Sequence, residues 1–343
     1  MNEVTGTMRA VIMDAPGQIR VGESETPVPG PGEVLVRVGE AGICAGDIHI
    51  YNGRNPYTLY PCIGGHEIAG TVAGAGEGMS GWAEGERVVV EPFLPCGHCY
   101  PCHVGKPNCC ANLSILGVHR PGGYARWLTA PANRLHRVPD NLSLSWASLA
   151  EPIAIAVQAC RRAAITPGEL VFVLGCGPIG LAVIEVATAH GARVVVTDVS
   201  PSRLEVARQL GAETRLADET LSEWALARTD GEGVPVVIEA SGVPAVMTQA
   251  AELVAPGGRI VLLGLIPKGV NICFPELNIT RKEMTILGSR ASAGYFPEAL
   301  ELLASGRITY AKAITELSLW DAPRIFPELS VNPDLSHKGV LIP

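Results

Sequence analysis

With 343 residues the chain is long enough for two domains with sizeable cores, and at 47% hydrophobic residues it is expected to fold as a globular protein. A formal net charge of −8 argues against a nucleic-acid partner, which calls for a basic face. No apolar run is long enough to span a membrane, and the N-terminus lacks a signal peptide's basic start and apolar centre. This is the pattern of a soluble, cytoplasmic protein with no membrane partner.

Residues 8–13, 18–22 and 33–39 read as short strands, with Pro27, Pro29, Pro31 and several glycines in the turns. Residues 68–75, 86–90 and 125–130 have the same character, so residues 1–140 are expected to form a largely antiparallel β domain. From Ser145 the pattern turns helical. Beyond Leu170 strands and helices alternate, with strands near 170–174, 193–198, 235–240, 258–264 and 284–289. The helices start near 179, 201, 219 and 243. Alternation of this kind predicts an α/β fold with a parallel, doubly wound sheet. A helix over 296–304 and a last strand over 339–342 are expected to return to the first domain. The chain then divides into 1–150 with 291–343, and 151–290, with substrate in the cleft between them. An apolar strand near 271–274 is a candidate for pairing across the subunit interface of a homo-oligomer.

The second domain opens on its most informative stretch. Leu170-Val171-Phe172-Val173-Leu174 is a continuous apolar run, as expected of a parallel strand buried on both faces. Gly175-Cys176-Gly177-Pro178-Ile179-Gly180 then supplies G-x-G-x-x-G, with Pro178 suited to a first helical turn. Ile179, Ala182, Val183, Val186 and Ala187 recur at helical spacing, Gly191 ends the helix, and Asp198 closes the next strand. Strand, glycine loop, helix, strand and acid in that order predict a dinucleotide site. The glycines admit a pyrophosphate, the helix N-terminus offers free N–H groups, and the acid meets ribose hydroxyls. A carboxylate at Asp198 repels a 2′-phosphate and so favours NAD over NADP, a choice that nearby Arg203 blurs.

Five of the ten cysteines crowd between positions 96 and 110, which without a secretion signal points to metal rather than disulfides. Cys96-x-x-Cys99-x-x-Cys102-x7-Cys110 can close a tetrahedral thiolate shell around a structural zinc; Cys109 competes for the fourth place. A second candidate set is dispersed. It comprises Cys44, with Asp47 and His49 following it, the pair His66-Glu67 behind Gly64-Gly65, and Glu151 at the head of a helix. Each alone is unremarkable, and spacing does not decide whether a catalytic metal binds there.

Taken together, the dispersed set, the cysteine run and the glycine loop resemble the zinc-dependent medium-chain dehydrogenases over essentially the whole chain. Glu151-Pro152 followed by Ala159-Cys160-Arg161-Arg162-Ala163 is similar to the sorbitol (polyol) dehydrogenase branch. Ser114-Ile115-Leu116-Gly117-Val118-His119 with Gly122-Gly123, and Gly288-Ser289-Arg290, are similar to bacterial sugar-acid dehydrogenases, the L-galactonate 5-dehydrogenases among them.

The resemblance implies a GroES-like β-rich catalytic domain, a Rossmann domain, NAD as cofactor and two zinc ions per chain, one catalytic and one structural. It implies that Cys44, His66 and Glu151 bind the catalytic zinc, Glu151 directly or through water. Glu67 then stands beside the metal and exchanges with a ligand. Asp47 holds the other nitrogen of His66, and His49 lies on the proton's way out. Leu263, Gly264 and the turn with Ser289 and Arg290 line the nicotinamide. Homo-oligomers, dimers or tetramers, are common among such proteins.

The implied reaction is oxidation of a secondary hydroxyl of a polyol or sugar acid to a ketone by hydride transfer to NAD. One residue departs from the pattern: Gly46 stands where the family usually has a serine or threonine that starts the proton relay. The nearest rival is an L-threonine 3-dehydrogenase, which shares metals and cofactor but takes an amino alcohol. A primary-alcohol dehydrogenase usually has cysteine where Glu151 stands. Gly46 also keeps open a binding protein that has lost turnover.

Overall fold

The structure, a computed structural model, describes residues 6–267, 269–332 and 338–343. By packing it separates into two compact units, Met1–Glu151 with Ala311–Pro343, and Pro152–Tyr310.

The first unit begins with the antiparallel ribbon of β1 (Thr7–Ala15) and β2 (Gln18–Glu25). It continues through β3 (Glu33–Gly42), α1 (Ala45–Tyr51), β4 (Glu67–Ala75), β5 (Arg87–Val90) and β6 (Phe93–Leu94). Then come α2 (Tyr100–His103), β7 (Ser114–Ile115), β8 (Trp127–Pro131), β9 (Leu135–Arg137) and α3 (Leu144–Ala147). From here α4 (Ala150–Arg162) leads the chain into the second unit. Strands β3, β4, β5 and β9 pair antiparallel in that order, and β8 adds to β3. Inward side chains from this sheet, with Ile50 of α1, build a core around Leu35, Ile68 and Leu116.

The second unit alternates as its sequence pattern demands: β10 (Leu170–Leu174), α5 (Pro178–Ala189), β11 (Arg193–Asp198), α6 (Pro201–Gln209) and β12 (Glu213–Leu216). It goes on with α7 (Leu221–Arg228), β13 (Val234–Glu239), α8 (Pro244–Leu253), β14 (Val254–Leu262), α9 (Glu276–Lys282), β15 (Thr285–Gly288) and α10 (Phe296–Ala304). The six strands run parallel in the order β12-β11-β10-β13-β14-β15, so the sheet reverses its direction of growth between β10 and β13. That reversal is where doubly wound sheets bind ligands. All five residues of β10 are buried, as a strand covered on both faces requires.

The chain ends with β16 (Ile314–Ser318), α11 (Ala322–Val331) and β17 (Lys338–Ile342). β17 joins the first unit's sheet beside β3, as expected of the last strand.

Two expectations meet a different structure, and one element is new. Residues 291–310 pack with the second unit, not the first. Helix α10 buries Phe296, Ala299, Leu300 and Leu303, and its Glu298 binds Arg161 of α4 and His190 just past α5. Glu185 of α5 accepts the backbone N–H groups of Thr309 and Tyr310, each at 2.6 Å. Residues 271–274 form no strand. The apolar run Ile272-Cys273-Phe274 is only three residues long and pairs with no strand of its own chain among the described residues, and Pro275 turns it directly into α9. Helix α1 is an addition, because its glycine and alternating isoleucines disguise the helical period.

Candidate metal centres and dinucleotide site

The first cluster is local. The ligand atoms of Cys96, Cys99, Cys102 and Cys110 all lie within 4.8 Å of one another, and among the described residues no cysteine is in a disulfide. Cys99 Sγ is 3.5 Å from Cys102 Sγ and 3.7 Å from Cys110 Sγ. Backbone N–H groups, first that of Ala111 and then that of Cys102, hold the Cys99 thiol down to about 6. Burial, and then the competing Cys99 sulfur, push Cys102 up to about 11. Sulfurs this close cannot all ionise unless a cation sits among them, so the donor set fits zinc. Cys109 is exposed and outside the cluster, while Cys110 is buried within it. His98 turns its Nδ1 to the Cys96 carbonyl instead.

The second cluster is assembled from separate elements. Cys44 caps α1: its Sγ accepts from Gly46 N–H and its own N–H donates to Asp47 Oδ2 at 2.9 Å. Glu67 opens β4, with His66 immediately before it and directly after Gly64-Gly65. Gly65 has φ +88, and a Cβ there would meet a Tyr124 ring carbon at 2.6 Å, so only glycine fits. Ligand atoms of Cys44, His66 and Glu67 converge within 4.8 Å.

Behind them, fully buried Asp47 places Oδ1 3.4 Å from His66 Nδ1. Burial alone would raise the Asp47 pKa; the His66 charge, the Cys44 N–H and the Tyr124 hydroxyl outweigh it and hold the carboxyl low. For His66, burial opposes protonation, yet Asp47 and Cys44 hold its pKa well above the usual value. A site that so strongly favours positive charge fits a metal cation.

Glu67 is buried and bonded to Lys338 Nζ at 2.5 Å; the same ammonium donates to the Ile43 carbonyl at 3.0 Å. Glu151 is buried in the first turn of α4 but is not one of the three converging donors. It is near enough for the charges of His66, Glu67 and Lys338 to act on it, and burial lifts its carboxyl to about 7. His49 is exposed on α1, its pKa lowered by partial burial and then by the Arg54 charge. A Cβ added at Gly46 would lie 3.6 Å from His66 Cε1 and 3.7 Å from Cys44 Sγ, ordinary contacts. The backbone therefore does not demand glycine there. Reasoning from sequence missed Tyr124 and Lys338, which lie 77 residues from Asp47 and 271 from Glu67.

In the second unit Gly175 adopts φ +104, and a Cβ on Gly180 would strike the Gly175 carbonyl at 2.1 Å, so α5 packs tightly on the loop. Gly177 caps α5 and Pro178 and Ile179 open it. Asp198, at the end of β11, accepts from Cys176 N–H on Oδ2 and from Ser200 N–H on Oδ1, both at 2.8 Å. Arg203 Nη1 stands 3.8 Å from Oδ2, so the arginine is paired with the acid rather than merely near it in sequence. Leu263 and Gly264 donate their N–H groups to the Glu239 carbonyl past the end of β14. Ser289 donates its N–H to Leu262, and Arg290 is exposed. These loops follow the carboxyl ends of adjacent strands, as a dinucleotide site requires.

Residues 178–305 match the zinc-binding dehydrogenase family and residues 30–140 the alcohol dehydrogenase GroES-like domain. The chain is 37% identical to L-galactonate-5-dehydrogenase of Escherichia coli K12, over 90% of this chain and 91% of that one. It is also 37% identical to L-threonine 3-dehydrogenase of Pyrococcus horikoshii, over 90% of each chain. Among solved structures it resembles an alcohol dehydrogenase (rspB) of E. coli CFT073 in complex with NADH. There the TM-score is 0.92 and the identity 34%, over 98% of this chain and 99% of that one.

Proposed function

The chain belongs to the zinc-dependent medium-chain dehydrogenases, and on that footing we propose that it oxidises a secondary hydroxyl of a sugar acid or polyol to a ketone, with NAD as hydride acceptor. Cys44, His66 and Glu67, whose donors converge, would hold the catalytic zinc, with Glu151 buried nearby as a further carboxylate rather than in place of Glu67. Cys96, Cys99, Cys102 and Cys110 would hold a structural one. The convergence of the Cys44, His66 and Glu67 donors over buried Asp47 carries this reading.

When bound, zinc supplies Lewis acidity that lowers the pKa of a substrate hydroxyl, and the nicotinamide takes up the hydride. The chain's own groups orient and move the proton. Asp47 fixes the His66 ring. Its lowered pKa leaves His49 neutral near pH 7 and able to accept the hydroxyl proton through water, since Gly46 has no side chain to relay it. Asp198 accepts from the ribose hydroxyls and favours NAD, while Arg203 offsets part of the repulsion of a 2′-phosphate.

A sugar acid is preferred to a neutral polyol because Arg54, exposed and close enough to depress the His49 pKa, offers a cation to a carboxylate. NADH formation measured on aldonates, polyols and L-threonine tests the proposal. Aldonates should give the highest kcat/KM, and Arg54→Ala should raise KM for the acid far more than for the polyol. Preference for L-threonine would support the amino-alcohol reading that the P. horikoshii relative suggests, and no turnover on any member would refute both.

A further inference from the structure

We propose that the hydroxyl of Tyr124 is a positioning group for metal binding at Cys44 and His66, acting by fixing the Asp47 carboxylate that faces the His66 ring. This rests on the metal reading above and adds a residue to it.

The backbone leading to Tyr124 lies on the turn before His66. Gly122 N–H donates to the Ile63 carbonyl, Gly123 N–H to that of Gly65 and Tyr124 N–H to that of Gly64, at 2.9, 2.8 and 3.0 Å. The fully buried ring covers Gly65 and meets Phe326 edge-on at 5.8 Å. A phenylalanine would fill that space equally, so what tyrosine adds is one O–H. A buried hydroxyl is unfavourable without a partner, which makes its bonds informative.

Tyr124 Oη is 2.8 Å from Asp47 Oδ2 and 3.2 Å from the Gly42 carbonyl. Its single proton goes to the nearer, charged acceptor. Oδ2 thereby receives two donors, Tyr124 O–H and Cys44 N–H, and Oδ1 receives Gly65 N–H at 3.3 Å. Three fixed donors leave the carboxylate one orientation, with Oδ1 also facing His66 Nδ1. A carboxylate held there keeps the imidazole proton on Nδ1 and leaves Nε2 to bind an ion. Burial and the Asp47 charge raise the Tyr124 pKa well above its usual value, so the phenol remains a donor throughout the working range.

The test uses the full-length protein with cobalt(II) in place of zinc. Bands of the Cys44 site are isolated as those lost in Cys44→Ser. Tyr124→Phe, which keeps the ring and its packing, should shift those bands. It should also speed release of that ion to a chelator by roughly ten-fold, the lower end of what outer partners of a ligating histidine contribute. The ion at Cys96, Cys99, Cys102 and Cys110 should leave at the wild-type rate. Asp47→Asn should change both readouts more, and adding Tyr124→Phe to it should then change release by less than about two-fold, since the hydroxyl acts through that carboxylate. Wild-type bands and release in Tyr124→Phe would overturn the proposal, as would its full effect persisting in the Asp47→Asn background. If Cys44→Ser removes no band, no ion binds there, and the metal reading itself fails with it.

Discussion

The two donor clusters of the first unit are built in opposite ways. One takes four sulfurs from a single stretch ending at Cys110 and needs little beyond its own loop to bring them together. The other draws Cys44 from a helix cap and His66 and Glu67 from a strand start, then holds them with Asp47, Tyr124 and Lys338. Four thiolates close a tetrahedron and leave no room for a substrate, which suits a structural ion. The dispersed set mixes thiolate, imidazole and carboxylate, a donor set that does not close a four-sulfur shell. A local cluster is written in spacing, whereas a dispersed one is written in the partners that hold its donors.

Removing a ligand from each cluster should separate them most sharply. His66→Ala should lower kcat/KM by about a thousand-fold or more, since the several kcal/mol that a Lewis acid contributes is lost, and should leave the thermal midpoint nearly unchanged. Cys99→Ser should do the reverse, releasing about one zinc per chain by elemental analysis and lowering the midpoint by several degrees because metal binding is coupled to folding. Similar stability losses in both variants would erase the distinction.

Smaller effects follow at the cofactor. Asp198→Ala should reduce kcat/KM for NAD by roughly ten- to hundred-fold, the equivalent of one or two hydrogen bonds to a charged group, and narrow the gap to NADP. Equal use of both cofactors by the unmodified enzyme would contradict that role. Two changes should be nearly silent in metal content. Cys109→Ser alters an exposed thiol outside the cluster, and Gly46→Ala adds a methyl that meets His66 and Cys44 at ordinary distances. Loss of zinc in either would show that its cluster is drawn wrongly.

Much of this was legible before folding. The apolar run 170–174, the glycine loop and Asp198 appear in sequence order because a βαβ unit is a local structure. The C-x-x-C-x-x-C run is local in the same way. What was not legible depends on distance in the chain. Nothing near Tyr124 announces that its hydroxyl meets Asp47, and Lys338 sits in an ordinary strand at the far end. The boundary at 310 rather than 290 follows from Glu185 and Glu298, whose partners are drawn from other elements. Arg203 was visible as a nearby cation, but its pairing with Asp198 required the fold of α6.

On the proposed function, catalysis depends on the ion at Cys44 and His66 and not on the one at the four cysteines. Dialysis against a chelator until one zinc per chain remains tests it directly, with NADH formation followed before and after zinc is restored. Activity should vanish with the first ion lost and return with it, while the thermal midpoint stays within a few degrees. Full activity at one zinc per chain, with the thiolate cluster still loaded, would show that no ion at Cys44 and His66 is needed for catalysis.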